Sequence, residues 1–467
     1  MKISFHGAAR TVTGSKHLLH IKPNLNVLLD CGMFQGMGKD TDRLNTEWGF
    51  EPRLVDHLIL SHAHIDHIGL VPKLFKDGFV GKIYCTPATA SLARILLIDS
   101  AGIQEDDVKY VNKQRRKQGK PLIAPLYTEE DAMKVFPHFE TVPYNEHYKI
   151  DRQVEVMFTD CGHIIGSSAV NLAVKENGKT TRITFSGDVG RYQDMILRSP
   201  QPFPQADYVI MESTYGDRLH ERATAANDKM LNIIVDTCLK RKGILIVPAF
   251  SLGRTQEILY MLNRMELEKV LPPVKYFVDS PLSIKITETL KKYPDYYNEA
   301  SRELLKNDTD IFAFKGLTFV ETVQESMALN DISEPCVIIA SSGMAEAGRV
   351  KHHIAHHVED PNCTIMMTGY CEPQSLGGRL KQRPEEVGIF GKKYQVRAKI
   401  EEISSLSAHG DYEDLSQWLG CQDPSLVKKL FLVHGEYDVQ TNFRDRLIKK
   451  GFADVVVPAQ HEEVGLG

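Results

Sequence analysis

Seven residues, Ser61-His62-Ala63-His64-Ile65-Asp66-His67, constrain this chain more than any other part of it. They place three imidazoles and one carboxylate directly after the apolar run Asp56-His57-Leu58-Ile59-Leu60, which reads as a short buried strand. A rigid strand end that presents neutral imidazole and carboxylate holds zinc at low cost. Four donors this close in sequence do not easily surround one tetrahedral ion. They suit two neighbouring ions, with His62 and His64 on one and Asp66 and His67 on the other. A polar loop with accidental histidines does not account for this density or for the strand before it.

The rest of the chain sets bounds. At 467 residues it exceeds one ordinary core, so two or three domains are expected. A formal charge of −5 gives no global attraction to nucleic acid, and any polyanion needs a local basic groove. The eight cysteines are scattered without a CxxC pair, which fits a reducing compartment. The start, Met1-Lys2-Ile3-Ser4-Phe5-His6-Gly7, has no signal pattern, and no apolar run approaches the roughly 20 residues of a membrane span. The expectation is a cytoplasmic protein without a membrane partner.

Up to about residue 206 the chain reads as short strands with helices between. Val27-Leu28-Leu29 leads to Asp30, and Lys82-Ile83-Tyr84-Cys85 is a further strand. A long helix runs from Thr89 to about Lys117 and ends in Lys113-Gln114-Arg115-Arg116-Lys117, read as a solvated face. Val154 to Phe158 alternates and leads to His163. The runs Ala169–Val174 and Arg182–Phe185 flank Glu176-Asn177-Gly178-Lys179, a hairpin signal that delivers Asp188. Pro200, Pro202 and Pro204 then suggest a boundary. From 207 to 395 apolar runs alternate with helical segments, the pattern of a parallel sheet. From 396 to 467 the first style returns, with Leu430-Phe431-Leu432-Val433 leading to His434.

Asp30, His62, His163, Asp188 and His434 each follow an apolar strand. Strand ends of one sheet converge on one edge, so residues far apart in sequence can meet there. His163 can complete the set of His62 and His64, and His434 the set of Asp66 and His67. Asp188 can bridge both ions, since a carboxylate has two oxygens. Asp30, grouped with the catalytic residues, is better placed to orient an imidazole or the loop.

With these residues in place, the chain resembles the metallo-β-lactamase superfamily. Its continuation is similar to the β-CASP branch, the RNA-processing nucleases that include the polyadenylation cleavage endonuclease and its bacterial relatives. The branch's motif A acid matches Glu212 in Met211-Glu212-Ser213-Thr214, its motif B histidine His409 in Ser407-Ala408-His409-Gly410, and its motif C histidine His434 in Val433-His434-Gly435. The resemblance implies an α/β architecture: an αββα sandwich built from residues 1–206 and 396–467, with a parallel-sheet β-CASP cap at 207–395 and the site in the cleft between. It implies two zinc ions per chain, on donors for which manganese or iron(II) can substitute. It further implies hydrolysis of single-stranded RNA, with His409 as general acid held by Glu212 and Asp66 orienting the water.

Phosphate contacts are expected at Ser341-Ser342-Gly343, between a strand and a helix, and at Arg254. His352, His353, His356 and His357 share a helical spacing but lack the intervening glutamate of a zincin, and read as helix surface or a phosphate contact. A 5′→3′ exonuclease, a DNA nuclease and a catalytically silent RNA-processing subunit are the alternatives. The DNA-repair branch typically carries valine at the position of His434, and silent relatives generally lose metal donors that this chain keeps. Oligomeric state is open, a homodimer included.

Overall fold

The computed structural model describes every residue except 22–23, 221–222, 370 and 404–405. The chain forms two compact units. The first comprises residues 1–194, 198–219 and 409–467, and the second residues 195–197 and 220–408.

The first unit holds two seven-stranded sheets. In one, Lys2–Gly7, Lys16–Ile21 and Leu25–Leu29 pair antiparallel, and His57–Ile59, Lys82–Cys85 and Phe139–Thr141 continue in parallel. In the other, Val154–Asp160, Ser168–Glu176 and Lys179–Phe185 are antiparallel, followed in parallel by Tyr208–Glu212 and Lys429–Val433. Alternation along the strands builds the core between the sheets. Phe5, Leu19 and Val27 of the first sheet cluster with Phe158, Leu172, Phe185, Ile210 and Phe431 of the second. The opposite residues of the second sheet, including Val209, Met211, Leu430 and Leu432, pack on helices Tyr412–Leu419 and Tyr437–Lys449 through Trp418 and Phe443.

The second unit is built on a six-stranded sheet in the order Leu317–Phe319, Lys275–Val278, Cys336–Ala340, Leu245–Pro248, Thr364–Met367, Lys399–Glu402. All its pairings are parallel. The four inner strands are buried on both faces, as a sheet covered by helices on each side requires, whereas the edge strands Leu317–Phe319 and Lys399–Glu402 are partly exposed.

The expected α/β class, a sandwich with a separate parallel sheet, is what forms. The divisions differ from 206/207 and 395/396. Tyr208–Glu212 pairs in the sandwich, not in the parallel sheet of the insert. Tyr208-Val209-Ile210-Met211 is buried on both faces, and a continuous apolar run carries no mark of which parallel sheet it will join. At the other end, Lys399–Glu402 still belongs to the parallel sheet, so the second unit closes at Ala408.

Candidate active site

All residues of the candidate site lie in the first unit, most of them just past strand ends, with Asp66 and His67 on the short helix Ile65–Ile68 and His409 shortly before helix Tyr412–Leu419. Asp30 follows Leu25–Leu29, and His62 stands three residues after His57–Ile59. His163, Asp188 and His434 follow the strands ending at Asp160, Phe185 and Val433, and Glu212 closes Tyr208–Glu212. Asp30 and His434 take left-handed backbone angles (φ 58° and 51°), which turn the chain sharply where each side chain leaves its strand.

Two donor sets share Asp188. In the first, His62 Nε2 lies 3.1 Å from His64 Nδ1 and 3.3 Å from Asp188 Oδ2, and His163 Nε2 lies 3.2 Å from His64 Nδ1 and 3.5 Å from Asp188 Oδ2. In the second, His67 Nε2 is 3.1 Å from His434 Nε2 and 3.3 Å from Asp188 Oδ1, and Asp66 Oδ2 is 3.4 Å from His434 Nε2. Four ligands around zinc at about 2.0–2.1 Å stand about 3.3–3.4 Å from each other, and the first set keeps close to that edge length. The second is looser, with Asp66 Oδ2 4.0 Å from His67 Nε2 and Asp188 Oδ1 3.7 Å from His434 Nε2.

The hydrogen bonds behind the rings aim the lone pairs. Asp30 Oδ2 accepts from His67 Nδ1 at 2.6 Å and from Ser61 Oγ at 2.8 Å, and its Oδ1 accepts the Ser61 backbone N–H at 2.8 Å. With its proton given to Asp30, Ser61 Oγ accepts from His62 Nδ1 at 3.0 Å. Thr214 Oγ1 donates to the His434 carbonyl oxygen at 3.1 Å and so accepts from His434 Nδ1 at 3.0 Å. In each of these three rings Nε2 is left with its lone pair inward.

Electrostatics divide the rings: burial would lower His67, but Asp188, Asp30 and Asp66 outweigh it and hold this imidazole well above its ordinary value, a mark of how strongly negative its surroundings are. Burial pushes His62 down to about 3 and His64 to about 4, so both are neutral at physiological pH. For Asp188 burial favours the neutral acid, but His434, His67 and His62 outweigh it and hold the carboxyl well below the usual range. Asp188 Oδ1 and His163 Nδ1 are nonetheless buried without a hydrogen-bond partner among the described residues. A buried charged oxygen without a donor, facing imidazole nitrogens, is costly unless a cation neutralises it. The donor chemistry, the spacing and this orphaned oxygen all fit a divalent metal.

His409 stands beside the donor sets, 3.9 Å from Asp188 Oδ2. Its Nδ1 meets both oxygens of Glu212, at 3.1 and 3.2 Å. Glu212 is fully buried and fixed by N–H donors from Val189 (2.6 Å) and Thr214 (3.3 Å). Burial alone would lower His409, but Glu212 and Asp188 outweigh it and raise its pKa to about 9.

The sequence expectations map unevenly onto this site. The structure brings together His62, His64, Asp66, His67, His163, Asp188, His434, His409 and Glu212. Asp30 is buried behind His67, so it acts through that imidazole and not on reacting atoms. Arg254, Ser341, Ser342 and Gly343 belong to the second unit. Arg254 is no free clamp: it is 8% exposed and ion-paired with Glu257, one helical turn on. Ser341 Oγ shares a hydrogen bond with Ser280 Oγ at 2.7 Å. In the helical histidine group, His353 is not surface: it is buried between Asp279 (2.6 Å) and Asn330 (2.9 Å). Sequence reasoning assigned no role to Ser61 or Thr214. Their position next to His62 and just after Glu212 was the only signal.

Replacing Asp30 by asparagine keeps its shape but removes the charge beside His67. The expected result is metal affinity weaker by about 10–100-fold with the fold retained, measured by competition with a chromogenic chelator alongside thermal unfolding.

Fold and donor set together define a metal-dependent hydrolase. Three domain families match in succession: the metallo-β-lactamase superfamily over residues 18–232, the β-CASP domain over 255–380, and the Zn-dependent metallo-hydrolase RNA specificity domain over 393–458. The chain belongs to the β-CASP branch of the metallo-β-lactamase superfamily. It is 34% identical to a ribonuclease of Thermus thermophilus over 93% of both chains. It is 29% identical to an RNase J-like protein of Methanocaldococcus jannaschii over 93% of this chain and 92% of that one. It is 27% identical to a transcription termination factor of Methanosarcina mazei over 96% of this chain and 69% of the relative. Among the described residues no helix is long and apolar enough to cross a membrane.

Proposed function

We propose that this chain is a zinc-dependent ribonuclease that cuts phosphodiester bonds within single-stranded RNA. The observation that carries the reading is the shared carboxylate: Asp188 offers one oxygen to each of two donor sets, so two cations can sit side by side. Bound there, divalent cations supply Lewis-acid stabilisation of a phosphoryl centre and lower the pKa of water. The residues that hold them are His62, His64, His163 and Asp188 on one side, and Asp66, His67, His434 and Asp188 on the other.

The protein's own groups manage the protons. Asp66 is partly exposed beside the donors and accepts a hydrogen bond from the attacking water, orienting it in line with the scissile bond. The new bond forms from water oxygen to phosphorus as that water sheds one proton to solvent, and the bond from phosphorus to O3′ breaks, with His409 reprotonated from solvent after each turnover. His409 keeps its Nδ1–H on Glu212, so the proton at Nε2 is the one delivered to the leaving O3′. The products carry a 5′-phosphate and a 3′-hydroxyl. In the second unit, Ser341, Ser342 and Gly343 follow Cys336–Ala340 at the carboxyl end of a parallel strand, where anions commonly bind. They are proposed as phosphate contacts.

The test is a nuclease assay on circular single-stranded RNA, run beside linear 5′-phosphorylated RNA and matched DNA, with zinc and with chelator. Cutting of the circle with zinc alone is expected. Cutting of the linear RNA only would replace the internal mode by an exonucleolytic one, and cutting of DNA alone would overturn the RNA assignment.

A further inference from the structure

Helix Pro87–Lys117 is anchored at its start and bare at its end. Thr86 Oγ1 and Thr89 Oγ1 both donate to the carbonyl oxygen of Gly166, on the loop that carries His163. From there the helix runs 31 residues, roughly 45 Å at 1.5 Å per residue. Its buried residues stop at Ala101, and the last turns stand in solvent. The segment after it folds back along one side. Asn112 Nδ2 donates to the Ile123 carbonyl at 2.8 Å, the Ile123 N–H donates to Asn112 Oδ1 at 2.9 Å, and Arg115 Nε donates to the Pro121 carbonyl.

At about 100° per residue, Asn112 and Arg115 share the side covered by that segment. Lys109, Tyr110, Lys113, Arg116 and Lys117 fall within a sector of roughly 120° beside it. Tyr110 is 67% exposed. Lys109 pairs with Asp106 at 2.9 Å, whereas Lys113, Arg116 and Lys117 have no carboxylate partner among the described residues. A cluster of unpaired cations on a chain of net charge −5 is a local reversal of sign.

We propose that this helix end is a second contact for single-stranded RNA, remote from the cutting site. The proposal rests on the reading of the chain as a ribonuclease. Cations grip phosphates, and an exposed tyrosine ring among them offers a stacking face to a base. A second copy of the chain fits poorly, because a symmetric contact would set the same cations against each other. The basic end lies about 40 Å along the helix axis from Pro87, so only an RNA long enough to span that distance can use both places.

The test compares the full-length zinc-loaded protein with a Lys113→Gln/Arg116→Gln/Lys117→Gln variant, on a 40-nucleotide RNA and on a tetranucleotide, across salt concentrations. Three lost phosphate contacts should raise KM for the long RNA about tenfold or more at low salt, with kcat unchanged. They should also flatten the slope of log KM against log salt by about 2, at roughly 0.7 per contact. Tyr110→Ala should raise the same KM about fivefold or more. The tetranucleotide should not distinguish the proteins. An unchanged KM and slope for the long RNA, with wild type active, would overturn the second contact alone. An equal loss on the tetranucleotide, or competition by polyglutamate as strong as by polyuridine, would also overturn it. A wild type that cuts no RNA would remove the ribonuclease reading itself.

Discussion

Asp188→Asn is expected to silence the protein. The substitution keeps the size of the side chain and removes the charge that faces both donor sets, 3.3 Å from His62 on one side and 3.3 Å from His67 on the other. One oxygen becomes an amide nitrogen, which carries protons where a lone pair is needed. His62, His64 and His163 on one side then lack any anion to balance a dication, and His67 and His434 on the other keep only that of Asp66. Metal content should fall from two equivalents to one or fewer. Lewis-acid stabilisation is worth several kcal/mol, so cleavage should drop by roughly 10³-fold or more. Metal analysis after desalting and an RNA cleavage time course check both parts. The fold should persist, since Asp188 Oδ1 has no hydrogen-bond partner to lose among the described residues. Retention of both metals with activity within tenfold of wild type would remove Asp188 from its bridging role.

Glu212→Gln carries the second large effect, and its mark is in the pH profile. His409 is protonated below its pKa of about 9 and loses its proton above it. A general acid works in its protonated form, so activity should be present below that value and fall as pH rises through it. Burial opposes this raised value, while Glu212 and Asp188 sustain it. Cations held by Asp188 offset that carboxylate's pull, which leaves Glu212 the larger share in the loaded protein. Removing the Glu212 charge should move the alkaline limb of kcat to lower pH by roughly one to three pH units. At fixed pH near 8 the rate should fall about 2–100-fold, the larger values going with the larger shifts. His409→Ala should lose about 10²–10⁴-fold with the alkaline limb abolished. A limb that stays in place in Glu212→Gln would show that the two side chains do not act as a pair.

The fold and the site were legible in the sequence to different degrees. The Ser61–His67 segment is readable because its candidate metal donors are close in sequence and follow a strand, so their spacing alone carries geometry. His163, Asp188 and His434 were readable through a shared local context, an apolar run followed by the donor. The pairing of His409 with Glu212 came from motif resemblance, since two residues 197 positions apart give no local sign that they meet. The strand Tyr208–Glu212 was misgrouped because an apolar run buried on both faces fits either parallel sheet. The burial of Arg254 and His353 was hidden for a related reason. A polar residue is exposed by default, and only the fold supplies the Glu257 and Asp279 carboxylates that let these two side chains go inside. Ser61 and Thr214 escaped notice because a hydroxyl that fixes an imidazole tautomer looks like any other hydroxyl in sequence.

The central claim is that RNA hydrolysis runs on two cations held around Asp188. The most direct measurement strips the protein with chelator and titrates zinc back while following cleavage of a single-stranded RNA. The predicted result is no cleavage at zero zinc and a rise that reaches its plateau at two equivalents per chain. Cleavage that survives complete stripping, or a plateau already reached at one equivalent, would contradict it.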